Sequence, residues 1–317
     1  MAKITEHILN AKGKTLFSFE ILPPLKGENI DNLFTAIEDL MDFNPPFIDV
    51  TYHREEYITK TTENGDLERI ARYKRPGTVA LCAAIMHKFK VDTVPHILCG
   101  GFDKEDTENA LVELDFLGID NVLALRGDPV KEEGIFRPEK NGNAYASDLV
   151  TQIQNLNNGV YLHEELTMKK TNFCIGVAGY PEIHMEAATV EKDLEFLKQK
   201  VALGADYIVT QMFFDNTKFF EFVEKCRNAG INVPIIPGLK PLVTKRQLEI
   251  LPKVFHLQIP EDLKNAVLRA DDAAVSQIGI EWCVQQSKEL KKAGVPVLHY
   301  YTMSKSTATK KIASQVF

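Results

Sequence analysis

Short runs of apolar residues alternate along this chain with longer stretches whose apolar residues recur every three or four positions. The short runs are apolar throughout, which is typical of parallel strands buried on both faces. The longer stretches have the period of amphipathic helices, and several begin after a capping residue and end at a glycine. The runs that predict strands are residues 16–22, 47–52, 79–85 or 94–99, 121–125, 172–178, 205–211, 233–238 and 295–301. The stretches that predict helices are residues 31–41, 65–73, 104–117, 148–156, 190–203, 216–229, 244–251, 260–270 and 272–293.

The third strand has two candidates. Residues 79–85 and residues 94–99 are both short and apolar, and the pattern alone does not decide which of them pairs in the sheet. With either choice, about eight strand–helix units follow one another without a long linker, which is the content of a (β/α)8 barrel. We therefore predict an α/β fold, a (β/α)8 TIM barrel, in which residues 1–317 form a single domain.

A doubly wound parallel sheet is the alternative architecture. Its usual mark is a Gly-x-Gly-x-x-Gly string after the first strand, and that string is absent. The residues Gly13, Lys14 and Thr15 resemble the end of a phosphate-binding P-loop. However, Ile8 stands where that loop needs a glycine, and no helix is predicted to follow, so we reject this interpretation.

Composition and charge narrow the function classes. The 317 residues are 44% hydrophobic and 26% charged, as in an ordinary globular protein. The formal net charge of −7 disfavours nucleic acid or an anionic membrane as the main partner. Five scattered cysteines without a Cys-x-x-Cys string argue against a disulfide framework and a structural zinc. Without an apolar leader or a bilayer-spanning stretch in the sequence, we expect a cytoplasmic protein.

Polar residues collect where the predicted strands end, and a barrel would bring these ends to one face. The stretch from Asn121 to Pro129 is the clearest case, because a buried strand is followed at once by Arg126, Gly127 and Asp128. No nucleophile with an obvious base and no metal-ligand spacing accompany them. The pattern favours a site that holds and polarises a large organic ligand, with carboxylates free for proton transfer. The residues of this predicted ring are Glu20, Thr51, His96, Arg126, Asp128, Tyr180, His184 and Gln211.

Each of these residues also has a purely structural interpretation. Glu20, before two prolines, could be a capping or ion-pair carboxylate, and Arg126 could pair with Asp128 across the turn. Asp193 and Lys200 are seven residues apart and share one helix face, either as a solvated edge or as a charge pair that reaches a ligand. An aldolase-type Schiff base is disfavoured, because no lysine ends a clear strand except Lys240 and Lys305.

Five strings, each near a strand end, make the chain resemble the methylenetetrahydrofolate reductase family in its bacterial form, which consists of the catalytic domain only. The resemblance runs from about residue 15 to about residue 305. The strings occur in the order FSFEILPP (17–24), LALRGDP (123–129), IGVAGYPEIH (175–184), TQMFFD (210–215) and IPG (236–238).

The resemblance implies a flavoprotein barrel that binds FAD noncovalently. It implies that NADH or NADPH supplies a hydride that reduces 5,10-methylenetetrahydrofolate to 5-methyltetrahydrofolate, in ping-pong fashion through FAD, which feeds methionine synthesis. A homo-oligomer is also implied. The sequence does not decide between NADH and NADPH.

The resemblance also assigns roles to residues. Glu20 matches the acid that protonates the bridging nitrogen of the folate, and Asp128 matches a carboxylate beside flavin and pterin. Gln211 matches the amide that binds the pterin, and Lys305 stands near the folate where relatives can carry an arginine. Leu251 stands where some relatives carry a phenylalanine that stacks on the substrate. The residues that match positions along FAD are Thr51, His96, Arg126, Gly127, Asp128, Tyr145, Ala146, Ser147, Asp148, Tyr180, His184, Asp193 and Lys200.

Two other functions remain open from the residues alone. One is a different flavin-dependent barrel, such as an enzyme like proline dehydrogenase. The other is a barrel that binds a ligand without catalysis. Segment 155–171 receives no role.

Overall fold

The computed structural model describes residues 2–52, 56–73, 75–129, 134–163, 169–184 and 186–317. The strands are β1 Leu16–Ile21, β2 Phe47–Val50, β3 Glu56–Thr61, β4 Leu67–Tyr73, β5 Asp92–Leu98, β6 Asn121–Leu125, β7 Cys174–Gly179, β8 Tyr207–Thr210, β9 Ile235–Ile236, β10 Gly238–Leu239 and β11 Val297–Tyr301. The helices are α1 Ile4–Asn10, α2 Ile30–Met41, α3 Thr78–Phe89, α4 Lys104–Phe116, α5 Ala146–Asn157, α6 Val190–Ala202, α7 Asn216–Asn228, α8 Gln247–Phe255, α9 Glu261–Arg269, α10 Asp272–Lys292 and α11 Ser306–Val316.

A parallel sheet in the order β10-β11-β1-β2-β5-β6-β7-β8-β9 forms the centre of the molecule. Its two ends, β9 and β10, are the halves of one extended stretch that is interrupted at Pro237, which has no backbone N–H to donate. The Pro237 carbonyl still accepts a hydrogen bond of 3.1 Å from the His299 N–H of β11. The ring therefore closes with eight strand positions, and the predicted (β/α)8 barrel is confirmed.

The structure decides between the two candidates for the third strand. Residues 94–99 belong largely to β5, which pairs with β2 and β6, whereas residues 79–85 lie within α3. The burial of the two segments also differs. Residues 94–97 are all buried, whereas residues 79–85 are buried on one helix face, at Leu81, Cys82 and Ile85.

The predicted helix over residues 65–73 is wrong. Residues 67–73 form β4, which pairs antiparallel with β3. The overlooked signal is Asn64-Gly65, a dipeptide typical of hairpin turns, which here forms the last two residues of a three-residue loop, 63–65. Gly65 has φ of +86°, and the Thr62 N–H donates to the Asp66 carbonyl at 2.8 Å to close the turn. His53, which was expected just after strand 47–52, lies outside the described residues.

Side chains from the barrel strands form two apolar layers. Outward-facing residues such as Phe17, Phe19 and Ile21 pack against the surrounding helices. The interior has a smaller cluster that includes Phe47 and Tyr207. The strand residue Gly176 makes room for this Tyr207, because a Cβ at position 176 would lie 2.3 Å from the tyrosine ring.

Helix α1, which the sequence pattern did not predict, closes the amino-terminal end of the barrel. Ile4 is fully buried in the interior cluster, and its N–H donates to Asn121 Oδ1 at 2.9 Å. His7 Nε2 lies 2.7 Å from Asp92 Oδ2 at the start of β5. With this end sealed, the carboxyl ends of the strands form the mouth that remains for a site.

A third apolar cluster lies beside the barrel among α8, α9 and α10. Leu251 is 4% exposed inside it, so its side chain is committed to packing. Gly279 of α10 allows the helix to approach the Leu242 backbone, since a Cβ at position 279 would lie 1.7 Å from the Leu242 carbonyl oxygen. Within the described ranges, no helix combines the length and the apolar character needed to cross a bilayer.

Candidate functional site

The parallel strands carry the predicted polar residues to one face of the barrel, at the carboxyl ends. Glu20 is the fifth residue of β1, and Thr51 comes directly after β2. Arg126 and Asp128 follow β6, while Tyr180 and Gln211 follow β7 and β8. Their positions in the fold therefore agree with the ring that the strand-end pattern predicted, although their roles remain predictions.

Glu20 is a buried acid at this mouth. Its side chain is 12% exposed, and in the strand register it pairs with Asp49 of β2 and with Tyr301 of β11. Burial raises the pKa of Glu20 to about 7; the charges of His96 and Lys240 oppose this rise, and that of Asp49 adds to it. A carboxyl group with a pKa near neutrality can both hold and release a proton at physiological pH, as a general acid must.

His96 of β5 lies between two carboxyl groups. Its Nε2 atom is 3.4 Å from Asp49 Oδ2 and 3.8 Å from Glu20 Oε2. Burial lowers the pKa of His96, but the adjacent Asp49 and the charge of Glu20 outweigh that effect, so the pKa is raised. Both neighbouring carboxyl groups therefore favour the protonated form of the imidazole.

The sequence reasoning missed several residues of this interior group. Asp49 is 1% exposed, and His299 of β11 is 1% exposed with its Nδ1 atom 2.8 Å from Ser18 Oγ. Lys240, considered earlier only as a Schiff-base lysine, follows β10 and influences Glu20 through its charge. The signal that could have found Asp49 and His299 is a charged or titratable residue in the middle of an otherwise apolar buried strand.

Arg126 is held in place from two sides. Its guanidinium makes a bidentate ion pair with Glu186, in which Nη2 donates to Oε1 at 2.7 Å. The guanidinium carbon also lies 5.0 Å from the centre of the Phe136 ring, a cation–π distance. The alternative pairing of Arg126 with Asp128 is not what the structure shows, since Asp128 is exposed at the turn. Glu186 is a further residue that the sequence reasoning missed.

The loop after β7 and the helix that follows it, α6, supply a second polar group. The rings of Tyr180 and His184 meet edge to face at 4.6 Å, and the His184 N–H donates to Asp193 Oδ2 at 2.9 Å. Lys200 Nζ donates to the Ala178 carbonyl at 2.8 Å. Burial lowers the pKa of Lys200 to about 8, with Asp193 opposing that shift. This lysine therefore points toward the end of β7 and is not part of a solvated helix edge.

Other predicted residues lie at the rim or make local contacts. The Asp148 carboxylate accepts hydrogen bonds from the Ala144 and Tyr145 N–H groups and so caps α5. Gln211 Oε1 accepts from the Met212 N–H at 2.9 Å. Lys305 is exposed at the start of α11.

The residues present fit a flavin dinucleotide. Thr51 Oγ1 is a buried side-chain atom without a hydrogen-bond partner, as expected of a group that meets a polar ring edge. Arg126 and Lys200 offer cations to phosphate groups. The first turn of α5 adds the backbone N–H groups of Ala146 and Ser147 at a helix amino terminus. The described residues include no group of three or more His, Cys, Asp or Glu side chains placed to hold a metal ion.

Comparison with curated proteins identifies relatives of the chain. The chain is 34% identical to methylenetetrahydrofolate reductase 1 of Schizosaccharomyces pombe over 99% of its own length and 48% of that protein. It is 29% identical to the 5,10-methylenetetrahydrofolate reductase of Escherichia coli, over 96% of its own length and 91% of the relative. The chain thus spans about half the length of the fungal relative and most of the bacterial one.

A solved structure shares the fold. It is described as an uncharacterised protein from Clostridium thermocellum that binds two copies of 5-methyl-5,6,7,8-tetrahydrofolic acid. It superposes with a TM-score of 0.60 at 15% identity, over 99% of this chain and 98% of that chain. The methylenetetrahydrofolate reductase family model matches residues 3–316, and the chain therefore belongs to this family.

Proposed function

We propose that the chain catalyses the FAD-dependent reduction of 5,10-methylenetetrahydrofolate to 5-methyltetrahydrofolate, with NADH or NADPH as the hydride donor. Family membership gives the substrate class. The single observation that carries the chemistry is Glu20, a buried carboxyl group with a pKa of about 7 at the mouth of the barrel. The net reaction consumes one hydride and one proton, and Glu20 is placed to deliver the proton.

Glu20 acts on the bridging nitrogen of the folate. Protonation of that nitrogen breaks its bond to the methylene carbon, opens the five-membered ring and leaves an iminium cation on the pterin nitrogen. A hydride then adds to the methylene carbon and completes the methyl group. Asp128, a carboxylate at the same mouth, stabilises the cation by charge. Gln211 binds the pterin by hydrogen bonds, and Lys305 contacts the folate from the rim.

When bound, FAD would be the carrier that accepts the hydride from NAD(P)H and passes it to the folate. The proposed contacts follow the geometry. Thr51 and His96 face the ring edges, and Arg126 and Lys200 face the phosphates. At the start of α5, Ala146 and Ser147 add backbone donors, and Tyr145 and Asp148 flank them. The other contacts we propose are Gly127, Asp128, Tyr180, His184 and Asp193. Gly127 has φ of +88° and so lets the backbone turn sharply after β6.

Several broader properties belong to the same proposal. Ping-pong kinetics follow if both substrates stack in turn on one exposed face of the flavin. A homo-oligomer, a cytoplasmic location and a role in methionine synthesis are carried over from the family resemblance. All five cysteines are buried free thiols, which is consistent with a reducing compartment.

The test begins with purified protein whose flavin content has been measured. Anaerobic stopped-flow mixing with NADH, and separately with NADPH, is expected to bleach the flavin absorbance. Subsequent mixing with methylenetetrahydrofolate is expected to restore it and to yield methyltetrahydrofolate. Bound, intact FAD that neither NADH nor NADPH reduces would contradict the proposal. The proposal would also fail if a proline-type substrate reduced the flavin and methylenetetrahydrofolate did not reoxidise it.

A further inference from the structure

Asp49 is a buried carboxylate that the proposed chemistry does not yet use. It projects from the middle of β2 into the barrel interior, where it is 1% exposed, and its Oδ1 atom has no hydrogen-bond partner. A carboxylate in such surroundings is costly unless a cation neutralises it. His96 Nε2, at 3.4 Å from Asp49 Oδ2, is placed to be that cation.

The same nitrogen of His96 also faces Glu20, at 3.8 Å from Oε2. A protonated imidazole beside a carboxyl group favours the ionised carboxylate. If His96 were free to pair with Glu20, the latter would lose its proton at neutral pH and could no longer act as an acid. Asp49 competes with Glu20 for the imidazolium and lies closer to it.

We propose that Asp49 is a positioning residue whose carboxylate holds a proton on His96, so that Glu20 keeps a second proton for donation at neutral pH. The donation of the Glu20 proton to the folate rests on the proposed function, whereas the location of the other proton on His96 rests on the geometry alone. In turnover, Glu20 gives its proton to the bridging nitrogen and becomes a carboxylate. One proton from solvent restores it, while His96 and Asp49 return unchanged.

The other ionisable groups around this cluster leave the assignment intact. Burial lowers the pKa of His299, which lies 4.0 Å from Asp49 Oδ1, so this second imidazole is neutral. Lys240, after β10, favours the ionised form of Glu20, but burial lowers the lysine pKa. Tyr301 of β11 and Tyr207 of β8 are buried, and burial raises the pKa of each phenol, so both stay uncharged.

The direct test is Asp49→Asn, which keeps the size of the side chain and removes its charge. NMR titration of the His96 ring is compared in the two proteins, with the resonance assigned by its loss in His96→Gln. We expect the His96 ring of the original protein to titrate above the ordinary range of histidine, and its titration in the variant to move at least one pH unit lower. An unchanged titration overturns the proposal. This measurement needs no substrate, so it decides the role of Asp49 even if the folate reaction is absent.

The kinetic test uses the two half-reactions separately. In Asp49→Asn, the pH above which the folate half-reaction declines is expected to fall by at least one unit, which slows this step about fivefold at pH 7 and about tenfold at pH 8. The rate of FAD reduction by NADH is expected to stay unchanged. Asp262→Asn, at an exposed position of α9, is the matched control, because it makes the same chemical change away from the barrel mouth, and it is expected to keep the original pH profile. Equal loss of both half-reactions in Asp49→Asn would show a structural role and overturn the proposal.

Discussion

At the scale of single residues, Glu20 is the group whose protonation decides the proposed chemistry. Glu20→Gln keeps the shape of the side chain but cannot release a proton. We expect the variant to retain FAD and its reduction by NADH, and to lose folate reduction by about 10²- to 10⁴-fold, the usual contribution of a general acid. Rapid mixing of each half-reaction measures both rates on one preparation.

The same experiment distinguishes catalysis from structure. Glu113→Gln, on the exposed face of α4, is a matched control that changes the same chemical group far from the barrel mouth. If Glu20→Gln slowed both half-reactions equally, Glu20 would have a structural role. If the variant kept the full rate of folate reduction, the general acid would be a residue other than Glu20.

Glu20 also makes stability depend on pH. Its pKa is 4.5 in the unfolded chain and about 7 in the fold, so the folded state prefers the protonated form. Its unfavourable contribution is absent below about pH 4.5, grows as the pH rises and is complete above about pH 7, at up to about 3 kcal/mol. Glu20→Gln removes it, so we expect the variant to gain stability at pH 8 but not at pH 4. Urea denaturation at both pH values measures this, and an equal effect at both would contradict the assignment.

Glu20 and Asp49 illustrate how far the sequence predicts the site. Glu20 could be found because it stands near the end of an apolar strand that two prolines follow, and because it lies in a familiar string. Its raised pKa could not be found, since it results from burial in the fold and from the charge of Asp49 on the neighbouring strand β2, against the opposing charge of His96. Similarly, the partner of Arg126 is Glu186, sixty residues away, and not the nearby Asp128. The sequence pattern does not give the distances between residues on different strands of the barrel.

At the scale of elements, glycines set how closely a helix approaches its neighbour. Gly279 of α10 lies against the Leu242 backbone, so a Cβ would overlap a carbonyl oxygen that cannot move aside as a side chain could. We expect Gly279→Ala to destabilise the fold by about 3 kcal/mol or more, the upper range for overpacking. Gln277→Ala, at an exposed position of the same helix, is expected to change stability by less than about 0.5 kcal/mol. The urea midpoints of the two variants are compared. Similar midpoints would mean that α10 can shift away from the Leu242 backbone.

The sequence predicts best those elements whose start and end signals both lie in or directly beside the element. Helix α4 is an example, because Asp103 caps it and Gly118, with φ of +70°, ends it. The hairpin of β3 and β4 was missed because helical spacing was weighed over the Asn64-Gly65 turn. Helix α1 was also missed, since it is short and its stability comes from Ile4 packing into the barrel.

At the scale of the whole molecule, the barrel could be predicted because the count and order of strands leave few parallel arrangements. Its closure could not be read directly from any one strand. It depends on β11 pairing with β1, with Leu16 opposite Val297, and on the interrupted stretch around Pro237. Strands from near the two ends of the chain thus complete one ring, which supports a single cooperative unit.

The third apolar cluster is the part most able to unfold separately, since it lies beside the ring. However, α10 is tied to the segment after β8, where Trp282 Nε1 donates to the Phe214 carbonyl at 2.9 Å and Gln286 Nε2 donates to the Phe213 carbonyl at 3.0 Å. Trp282 is the one tryptophan of the chain, so its fluorescence reports this cluster, while far-UV circular dichroism reports the whole fold. We expect the two urea transitions to coincide, as in two-state unfolding. A fluorescence transition at lower urea would show instead that residues 242–282 form a separate unit, and the single-domain proposal would fail.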